Sequence, residues 1–445
     1  MLDKKKNFKN NLDILHFYYH KSKMMYVNIK LKRMENKYME NKAVNSYLFT
    51  SEVVSPGHPD KCADIIADSI VDALLIQDPK SRIASEVFVA GKHIIIGGEV
   101  TTKATVTIED YKNIAINALK KIGYDGKDYF TKDECLHPDD VEVQVLLNRQ
   151  SPDINQGVDK QDGEIGAGDQ GIMFGYADCE TSEYMPSAIT YARMLADKVY
   201  EYALNNPDKL GVDIKTQVTM DYITKENFDH AKPQKIHTIV VSAPCVSSMN
   251  IDSVRKLIKE LIDDTGLPKE LYNPNDCIIH INPTGKYVSH SSLHDSGLTG
   301  RKLIVDSFGG YAPIGGGAQS SKDYTKVDRS GLYAARYIAK NIVAANLAKK
   351  ALVQISYAIG VAKPVSVTVN TMNTAKEDGI SDEMLSSFVM QNFPLTPNWI
   401  TKKFSLDAPS SDTFLYADVA AYGQVGRGLY PWEQLDCIEL FKGLK

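Results

Sequence analysis

A threefold repetition of secondary structure constrains the fold of this 445-residue chain more than any other feature. Each copy is predicted to begin with a long amphipathic helix, continue with two apolar runs rich in Val, Ile and Thr, and end with a shorter helix. The long helices are predicted at Pro59–Ile76, Met185–Leu204 and Val327–Leu347. We therefore predict an α+β fold of three structurally similar domains related by pseudo-threefold repetition, with helices packed on one face of each sheet.

The other elements complete each copy in the same order. The pairs of strands are predicted at Ala84–Val89 and Ile94–Thr101, at Lys215–Met220 and Ile236–Ser242, and at Val353–Ile359 and Val365–Val369. The shorter helices follow at Ile108–Ile122, Ile251–Ile262 and Asp382–Gln391. Since a chain of this length exceeds one hydrophobic core, we place the domains at 47–147, 161–282 and 283–445, with exchange of segments between them permitted.

The charge is unevenly distributed along the chain. Residues 1–46 contain 11 Lys and Arg against 4 Asp and Glu, whereas the remainder contains 40 against 52. This acidic body gives no indication of nucleic-acid binding, and no apolar run approaches the roughly 18 residues of a membrane helix. Residues 1–46 lack the apolar core of a signal peptide, and the six cysteines include no C-x-x-C pair. We therefore expect a cytoplasmic protein with a disordered N-terminal extension.

Unusual loops precede the first two long helices. Ser55–Lys61 reads Ser-Pro-Gly-His-Pro-Asp-Lys, which places His58, Asp60 and Lys61 around a helix N-terminus. These residues offer a hydrogen-bond donor, a metal ligand and a phosphate partner, although a His-Pro-Asp sequence alone is more often a helix cap. Gly166–Tyr176 is rich in Gly and Ala, which suits either close approach of a flat ligand or a turn into a buried strand.

The third loop, Gly315–Arg329, combines three glycines with two lysines, an arginine and the carboxylates of Asp323 and Asp328. Polyphosphate with a divalent cation is the natural ligand for that mixture at a helix N-terminus. The loop is not a P-loop, because Ser321 and Asp323 stand on either side of Lys322 where a P-loop has Gly and Ser or Thr. The alternative to a phosphate-binding loop is a Gly-rich turn whose charges are solvated. The occurrence of three such loops at equivalent places in three repeats favours a shared binding site.

An acidic stripe on the first long helix allows two interpretations. Asp64, Asp68 and Asp72 are spaced to lie on one helical face. Such a face could bind a metal ion, but a solvent-exposed polar stripe explains the same spacing. We predict the exposed stripe.

These motifs closely resemble the signatures of the S-adenosylmethionine synthetase family. The resemblance extends from about Tyr47 to the C-terminus, with the motifs in the family's order. The matching segments are Gly57–Lys61, Ser151–Asp159, Gly166–Gly171, Asn282–Gly285, Gly297–Lys302 and Gly315–Arg329. The resemblance implies three similar α+β domains and a reaction in which the sulfur of L-methionine attacks C5′ of ATP. The displaced triphosphate is then hydrolysed to pyrophosphate and phosphate.

The resemblance also implies roles for individual residues. Catalytic roles fall to His58, Lys215, Arg301 and Lys322. ATP is expected to contact these four residues together with Asp169, Asp213, Lys286, Tyr287, Asp295, Lys302 and Ala318. Methionine is expected to contact Glu99, Gln150, Asp295 and Lys326. Asp60 and Asp328 would hold two Mg²⁺ ions, Glu86 would face K⁺, and residues 148–160 would form a mobile loop over the site.

Family members form homodimers with shared active sites, and we expect the same here, with pairing into a homotetramer. Two segments depart from the family pattern, Gln319–Ser321 in place of Phe-Ser-Gly and Ser289–Ser292 in place of a Gly-Gly-Pro segment. We expect them to change how the adenosine or phosphate end of ATP is held, with activity retained. Two alternatives remain, an ATP-dependent phosphotransferase that cleaves at the γ-phosphate and an inert regulatory subunit that binds nucleotide or a partner chain.

Overall fold

The computed structural model describes residues 45–125, 129–149, 165–224, 228–376 and 379–444, which form two compact units. The described part of the small unit consists of residues 45–47, 223–224 and 228–231. Within it, the rings of Tyr47 and Phe228 meet edge to face with their centroids 5.8 Å apart. The large unit comprises the described residues of Leu48–Tyr222 and Lys232–Lys445. It contains every predicted site residue that the structure describes.

The predicted helices and strands are present, with ends shifted by a few residues. In chain order, the strands are β1 (Asn45–Val54), β2 (Arg82–Ala90), β3 (His93–Thr101), β4 (Glu142–Asn148), β5 (Gly171–Asp178), β6 (Lys215–Thr224), β7 (Lys232–Ser242), β8 (Ile278–Ile281), β9 (Gly297–Leu298), β10 (Lys350–Tyr357) and β11 (Ser366–Asn370). The helices are α1 (Pro59–Gln77), α2 (Ile108–Ile122), α3 (Ser187–Asn205), α4 (Ile251–Asp263), α5 (Leu303–Asp306), α6 (Val327–Ala344), α7 (Asp382–Asn392), α8 (Pro397–Phe404), α9 (Tyr416–Tyr422) and α10 (Ile438–Lys442). Among the described residues, no helix is both long and apolar enough to cross a bilayer.

Local chemistry explains where helices such as α2 begin and end. The side chain of Thr107 accepts a hydrogen bond from the Asp110 N–H, and the Asp110 carboxylate accepts one from the Thr107 N–H. This capping box satisfies two of the N–H groups that a helix leaves unpaired at its start. At the other end Gly123 adopts a left-handed conformation with φ of 110°, which ends the helix.

Within the described ranges, three sheets correspond to the three repeats. The first has the strand order β4-β3-β2-β9, the second β1-β6-β7-β8 and the third β11-β10-β5. β2 and β3 pair antiparallel from Arg82 opposite Thr101 to Ala90 opposite His93, and β10 pairs with both β5 and β11 in antiparallel register. The predicted pairs form the centre of the first and second sheets, whereas in the third sheet β10 is central and β11 is an edge strand. Apart from the buried strand that is one interpretation of Gly166–Tyr176, the sequence did not predict the strands added beside these pairs.

Each sheet takes one strand from a different repeat, and the exchange is cyclic. β1 precedes α1 but belongs to the second sheet, β5 precedes α3 but belongs to the third, and β9 precedes α6 but belongs to the first. Every sheet therefore contains strands from both sides of a predicted domain boundary. The boundaries themselves remain a prediction. The exchange brings the segment before each long helix beside residues of another repeat.

The long helices α1 and α6 are buried on nearly all sides, although an amphipathic pattern predicts one wet face. In α1 the residues left less than fully buried are Ser69 and Ala73 and the final Ile76–Gln77. α1 packs against β2, α2 and α9, and α6 packs against β5 and β10. Polar side chains on these helices therefore face protein, where each needs a hydrogen-bond partner.

Candidate functional site

His58 is the N-cap of α1, at the end of the first loop. Its Nδ1 accepts a 3.1 Å hydrogen bond from the Asp60 N–H, so a neutral ring carries its proton on Nε2. Nε2 lies 3.9 Å from Oδ2 of Asp295. Burial, together with the positive charges of Lys302 and Lys215, lowers the pKa of His58 to about 3. His58 is therefore a neutral hydrogen-bond donor at pH 7 as well as the helix cap.

Asp60 is buried and surrounded by positive groups from residues 297–302. Its carboxylate accepts a 3.0 Å hydrogen bond from the Leu298 N–H and forms an ion pair with Lys302, and Arg301 Nε lies 3.6 Å from Oδ1. Burial raises the pKa of Asp60, but Lys302 and the Leu298 N–H outweigh burial and hold the pKa below its usual range. The first loop and residues 297–302 thus bring together a neutral donor, an ionised carboxylate and two cations.

The interpretation of Lys61 as a phosphate partner is wrong. Its side chain is 1% exposed, and its ammonium lies 2.6 Å from Asp306 and 3.1 Å from Asp64. Successive helix residues are about 100° apart, so Lys61 points away from the face that carries Asp60 and into the protein interior. It ties α1 to α5.

The prediction that Asp64, Asp68 and Asp72 form a solvent-exposed stripe is also wrong. All three are buried, and the carboxylates accept hydrogen bonds from backbone N–H groups of segments far away in the chain. The partners are Gly300 N for Asp64 (2.9 Å), Ser321 N for Asp68 (2.8 Å), and Tyr416 N and Ala417 N for Asp72 (2.9 Å each). In the described part of the chain, no three His, Cys, Asp or Glu side chains are arranged to hold a metal ion. The stripe instead holds the backbone at Gly300, at Ser321 and at the start of α9.

The end of the third loop pairs with the edge of β2. Hydrogen bonds of 3.1 and 3.2 Å join residues 321–323 to the backbone of Ser85 and Ile83, and Lys322 stands opposite Ala84. Residues directly opposite in such a pairing point to the same face. The loop thereby fixes Lys322 on the face of the first sheet that α1 does not cover.

Lys322 and Asp328 form an ion pair of 2.6 Å between the loop and the first turn of α6. Lys326 is the N-cap of this helix, so the loop ends at a helix N-terminus as predicted. A Cβ on Gly317 would lie 2.2 to 2.4 Å from the carboxylate carbon and oxygens of Asp328. Glycine is therefore required at this position for the backbone to approach Asp328 so closely.

Glu86, predicted to face K⁺, and Glu99, one of the predicted methionine contacts, share the uncovered face of the first sheet with Lys322. Ala84 pairs with Glu99 across β2 and β3, and Glu86 lies two residues further along β2. Glu86 is exposed and Glu99 is half-buried, whereas the alternating Ser85 and Val87 are buried beneath them. One face thus carries two carboxylates and one ammonium within a few residues of each other.

Two predicted nucleotide contacts at the start of β6, Asp213 and Lys215, adjoin the first loop, because the Ser55 N–H donates to the Ile214 carbonyl at 2.9 Å. Asp213 is buried and accepts a 3.1 Å hydrogen bond from the Tyr287 hydroxyl, and burial raises the pKa of Asp213 to about 6. Lys215 is exposed at the start of β6, and its charge acts on both His58 and Asp213. Lys286 is also exposed and donates to the carbonyl of Ser247.

Two further predicted nucleotide contacts adjoin the third loop. Ala318 touches Gly300, because a Cβ placed on Gly300 would lie 2.6 Å from the Ala318 Cβ. Asp169 is exposed, and the neighbouring Gly168 N–H donates to the Thr325 carbonyl at 3.0 Å. All three loops therefore adjoin one another through residues 297–302 and 325.

The remaining predictions concern methionine and the mobile loop. Lys326 is buried and paired at 2.5 Å with Asp323, so its ammonium already has a partner. Gln150 and most of residues 148–160 lie outside the described residues. Their roles remain predictions.

The two departures from the family pattern are packed into the protein. Gln319 and Ser320 are each 3% exposed, and Ser321 has a φ of 84°, in the left-handed region that favours glycine. Ser291 has a φ of 70°, and its hydroxyl accepts a 2.9 Å hydrogen bond from the Leu136 N–H. Both segments thus place a serine in a backbone conformation that side chains rarely adopt.

A cavity of about 190 Å³ lies behind the first loop, and none of the predicted site residues that the structure describes lines it. Tyr124, Cys135, Val212 and His290 are among its walls, and the Tyr124 hydroxyl donates to the Gly57 carbonyl at 2.5 Å. The Cys135 sulfur is 3.3 Å from Nε2 of His290. Burial raises the pKa of Cys135 to about 12, so the thiol is protonated and not a nucleophile at neutral pH.

His290 makes stability depend on pH. Burial lowers its pKa to about 4 from the ordinary 6.5, so between these values the unfolded chain binds a proton that the folded chain does not. The free energy of unfolding therefore falls as pH falls through this window, by about 2 kcal/mol from pH 7 to pH 5. We expect His290→Gln to remove that part of the loss, measured by urea unfolding at both pH values. If the free energy of unfolding of His290→Gln falls between pH 7 and pH 5 as much as that of the wild type, His290 is not the source of the pH dependence.

The sequence matches three domain models in consecutive order. They are the S-adenosylmethionine synthetase N-terminal domain at residues 46–152, the central domain at 164–287 and the C-terminal domain at 290–434. Together they span most of the chain, in the order of the three repeats.

Relatives and a solved structure agree with this match. The S-adenosylmethionine synthase of Chlorobium phaeobacteroides is 43% identical over 412 residues, covering 89% of this chain and 97% of that protein. The S-adenosylmethionine synthase of Nitratiruptor sp. is 44% identical over 401 residues, covering 88% and 96%. The structure of an unusual S-adenosylmethionine synthetase from Campylobacter jejuni is 67% identical, with a TM-score of 0.85 over 89% of this chain and 99% of that chain. The chain therefore belongs to the S-adenosylmethionine synthetase family.

Proposed function

We propose that this enzyme forms S-adenosylmethionine from ATP and L-methionine and then hydrolyses the displaced triphosphate to pyrophosphate and phosphate. The observation that carries the proposal is the grouping of His58, Asp60 and Lys302 beside the loop that holds Lys322 and Asp328. A neutral donor, two carboxylates and several cations suit a triphosphate better than any uncharged ligand.

The first step needs help at the leaving group. A lone pair of the methionine sulfur forms the S–C5′ bond while the C5′–O bond breaks. The electron pair of the C5′–O bond leaves with the triphosphate oxygen. Sulfur carries no proton in methionine, so no general base is required. His58 stays neutral at pH 7 because its pKa is about 3, and its Nε2–H can donate to the departing oxygen. Lys302, Arg301, Lys215 and Lys322 would neutralise the triphosphate, and Lys286 and Tyr287 would contact the nucleotide.

The carboxylates fit Mg²⁺ bound together with substrate phosphates. Mg²⁺ typically takes one or two protein carboxylates and completes its shell with phosphate oxygens and water. Asp60 and Asp328 each present one carboxylate, and each is paired with a lysine that a triphosphate could engage instead. Bound Mg²⁺ would supply positive charge for the leaving group. The family uses a divalent metal and K⁺, and for K⁺ we propose the exposed carboxylate of Glu86 on the uncovered face of the first sheet.

The exposed sheet faces support a homodimer with shared sites, paired into a homotetramer. Phe88 and Leu146 are 38% and 51% exposed on the uncovered face of the first sheet, and Ile172 is 48% exposed on the third. Apolar side chains on sheet faces favour burial against a second chain. Glu86, Glu99 and Lys322 lie on the same face as Phe88, so a partner that covers this face would complete the site.

The test is an assay with ATP, methionine labelled at the methyl carbon, Mg²⁺ and K⁺, in which the sulfonium product is separated by its positive charge. We expect one sulfonium per ATP consumed, together with pyrophosphate and phosphate. Transfer of the γ-phosphate to another acceptor would instead support the phosphotransferase, and nucleotide binding without turnover would support the regulatory subunit. Either result would overturn the proposed function.

A further inference from the structure

Ser321 is a serine with a backbone conformation that disfavours any residue with a Cβ, and it directly precedes Lys322. Such a conformation persists only where surrounding contacts determine it. Ser321 is 1% exposed, and its carbonyl accepts a 3.1 Å hydrogen bond from the Ser85 N–H. That bond fixes one side of the turn, and the other side needs a partner for the Ser321 N–H.

Asp68 on α1 provides that partner. Its Oδ1 accepts a 2.8 Å hydrogen bond from the Ser321 N–H, and its Oδ2 forms a 2.5 Å ion pair with Arg329. Arg329 in turn donates to the Lys322 carbonyl at 3.0 Å. Asp68 and Arg329 are both fully buried, so water does not compete for these bonds.

We propose that Asp68 is a positioning residue for the reaction: with Arg329 it holds the left-handed turn at Ser321 and thereby sets the position of the Lys322 ammonium. The proposal rests on the proposed role of Lys322 in binding triphosphate. Asp68 itself touches no reacting atom. It acts on the site through the Ser321 N–H, which it accepts directly, and through the Lys322 carbonyl, which it reaches by way of Arg329.

The test measures the Kd of inorganic tripolyphosphate with Mg²⁺ by calorimetry, together with kcat and the KM for methionine. We expect Asp68→Asn to raise the Kd and lower kcat, each about tenfold, because a displaced ammonium loses much of its contribution. The KM for methionine should change less than the Kd does, since Glu99, one of the predicted methionine contacts, lies within β3 and outside the loop that holds Lys322. Adding Ser321→Gly to Asp68→Asn should lower the Kd and raise kcat again, each about fivefold, because glycine adopts this conformation without a Cβ penalty.

Asp72→Asn is the matched control. Asp72 lies one helical turn further along α1, is also buried, and also accepts backbone N–H groups, but these belong to α9. Its loss should lower stability and raise the Kd less than Asp68→Asn does, because Asp72 reaches Arg329 only through Tyr416, whose ring lies 4.5 Å from the guanidinium. If Asp68→Asn unfolds the protein, Ser321→Val keeps the Asp68–Arg329 pair while disfavouring the turn, and it should raise the Kd.

The outcomes separate this inference from the proposed function. Equal Kd values for Asp68→Asn and the wild type would overturn the inference, provided that Lys322→Met raises the Kd. Equal effects of the Asp68 and Asp72 variants, or no recovery with Ser321→Gly, would also overturn it. An unchanged Kd in Lys322→Met would contradict the proposed role of Lys322 itself.

Discussion

Lys322→Met is expected to lower kcat for sulfonium formation by about 10²- to 10³-fold, the range seen when one preorganised charge or donor at a leaving group is removed. Lys322 is 18% exposed, and its backbone is fixed by pairing with β2. The backbone at Lys322 therefore needs little reorganisation for its ammonium to exchange Asp328 for a triphosphate oxygen. Methionine keeps the length of the side chain and removes the charge.

Steady-state kinetics with saturating Mg²⁺ measure this effect. Lys132→Met is the control, because Lys132 is exposed, forms a surface ion pair of 2.7 Å with Asp140 and is not among the predicted site residues. Lys322→Arg should retain part of the activity, since it keeps the charge with a different shape. A kcat within about threefold of the wild type for Lys322→Met would contradict the role proposed for Lys322.

Glu433→Gln is expected to destabilise the C-terminal region by about 3–5 kcal/mol, because it leaves two buried cations without a counter-charge. The Glu433 carboxylate accepts two 3.0 Å hydrogen bonds from Arg336 and one of 2.8 Å from Lys340. It also accepts a 2.7 Å hydrogen bond from the Gly426 N–H. Although burial raises the pKa of Glu433, Arg336 and Lys340 hold it below its usual range.

The two tryptophans make this prediction measurable by fluorescence. Trp399 lies on α8, and Trp432 stacks on Tyr333 of α6 with ring centroids 3.7 Å apart, next to Glu433. Their emission during urea unfolding reports on the region that Glu433 holds. Glu439→Gln is the control, because its pair with Lys442 is exposed and its loss should cost less than about 0.5 kcal/mol. Coincident unfolding curves for the two variants would refute the prediction.

The candidate site was predicted in part because its chemistry is local. His58, Asp60 and the glycines of the third loop lie in short segments whose composition signals a helix N-terminus and close backbone approach. The structure brings these segments together and gives His58 the neutral ring that a donor needs. The roles of the individual residues toward ATP, methionine and the ions stay predictions until the variants are measured.

Lys61 and the stripe of Asp64, Asp68 and Asp72 show why the rest could not be predicted. Their type and spacing resemble those of exposed or ligand-binding residues, and nothing nearby in sequence contradicts this. Their partners lie 236 residues away for Asp64, 253 for Asp68 and 344 for Asp72. Hydrophobic periodicity reports which face of a helix is apolar, but it does not report which polar face another segment will cover.

The sequence by itself determined the three repeats, the main helices, the strand pairs between them and the loops of the candidate site. These depend on periodicity, turn residues and residue type within about 20 neighbouring positions. The tertiary structure decided the cyclic exchange of β1, β5 and β9 among the sheets and the burial of α1 and α6. It also decided that Asp68 supports the Ser321–Lys322 turn, because a buried carboxylate is stable only beside donors that the fold brings from distant segments.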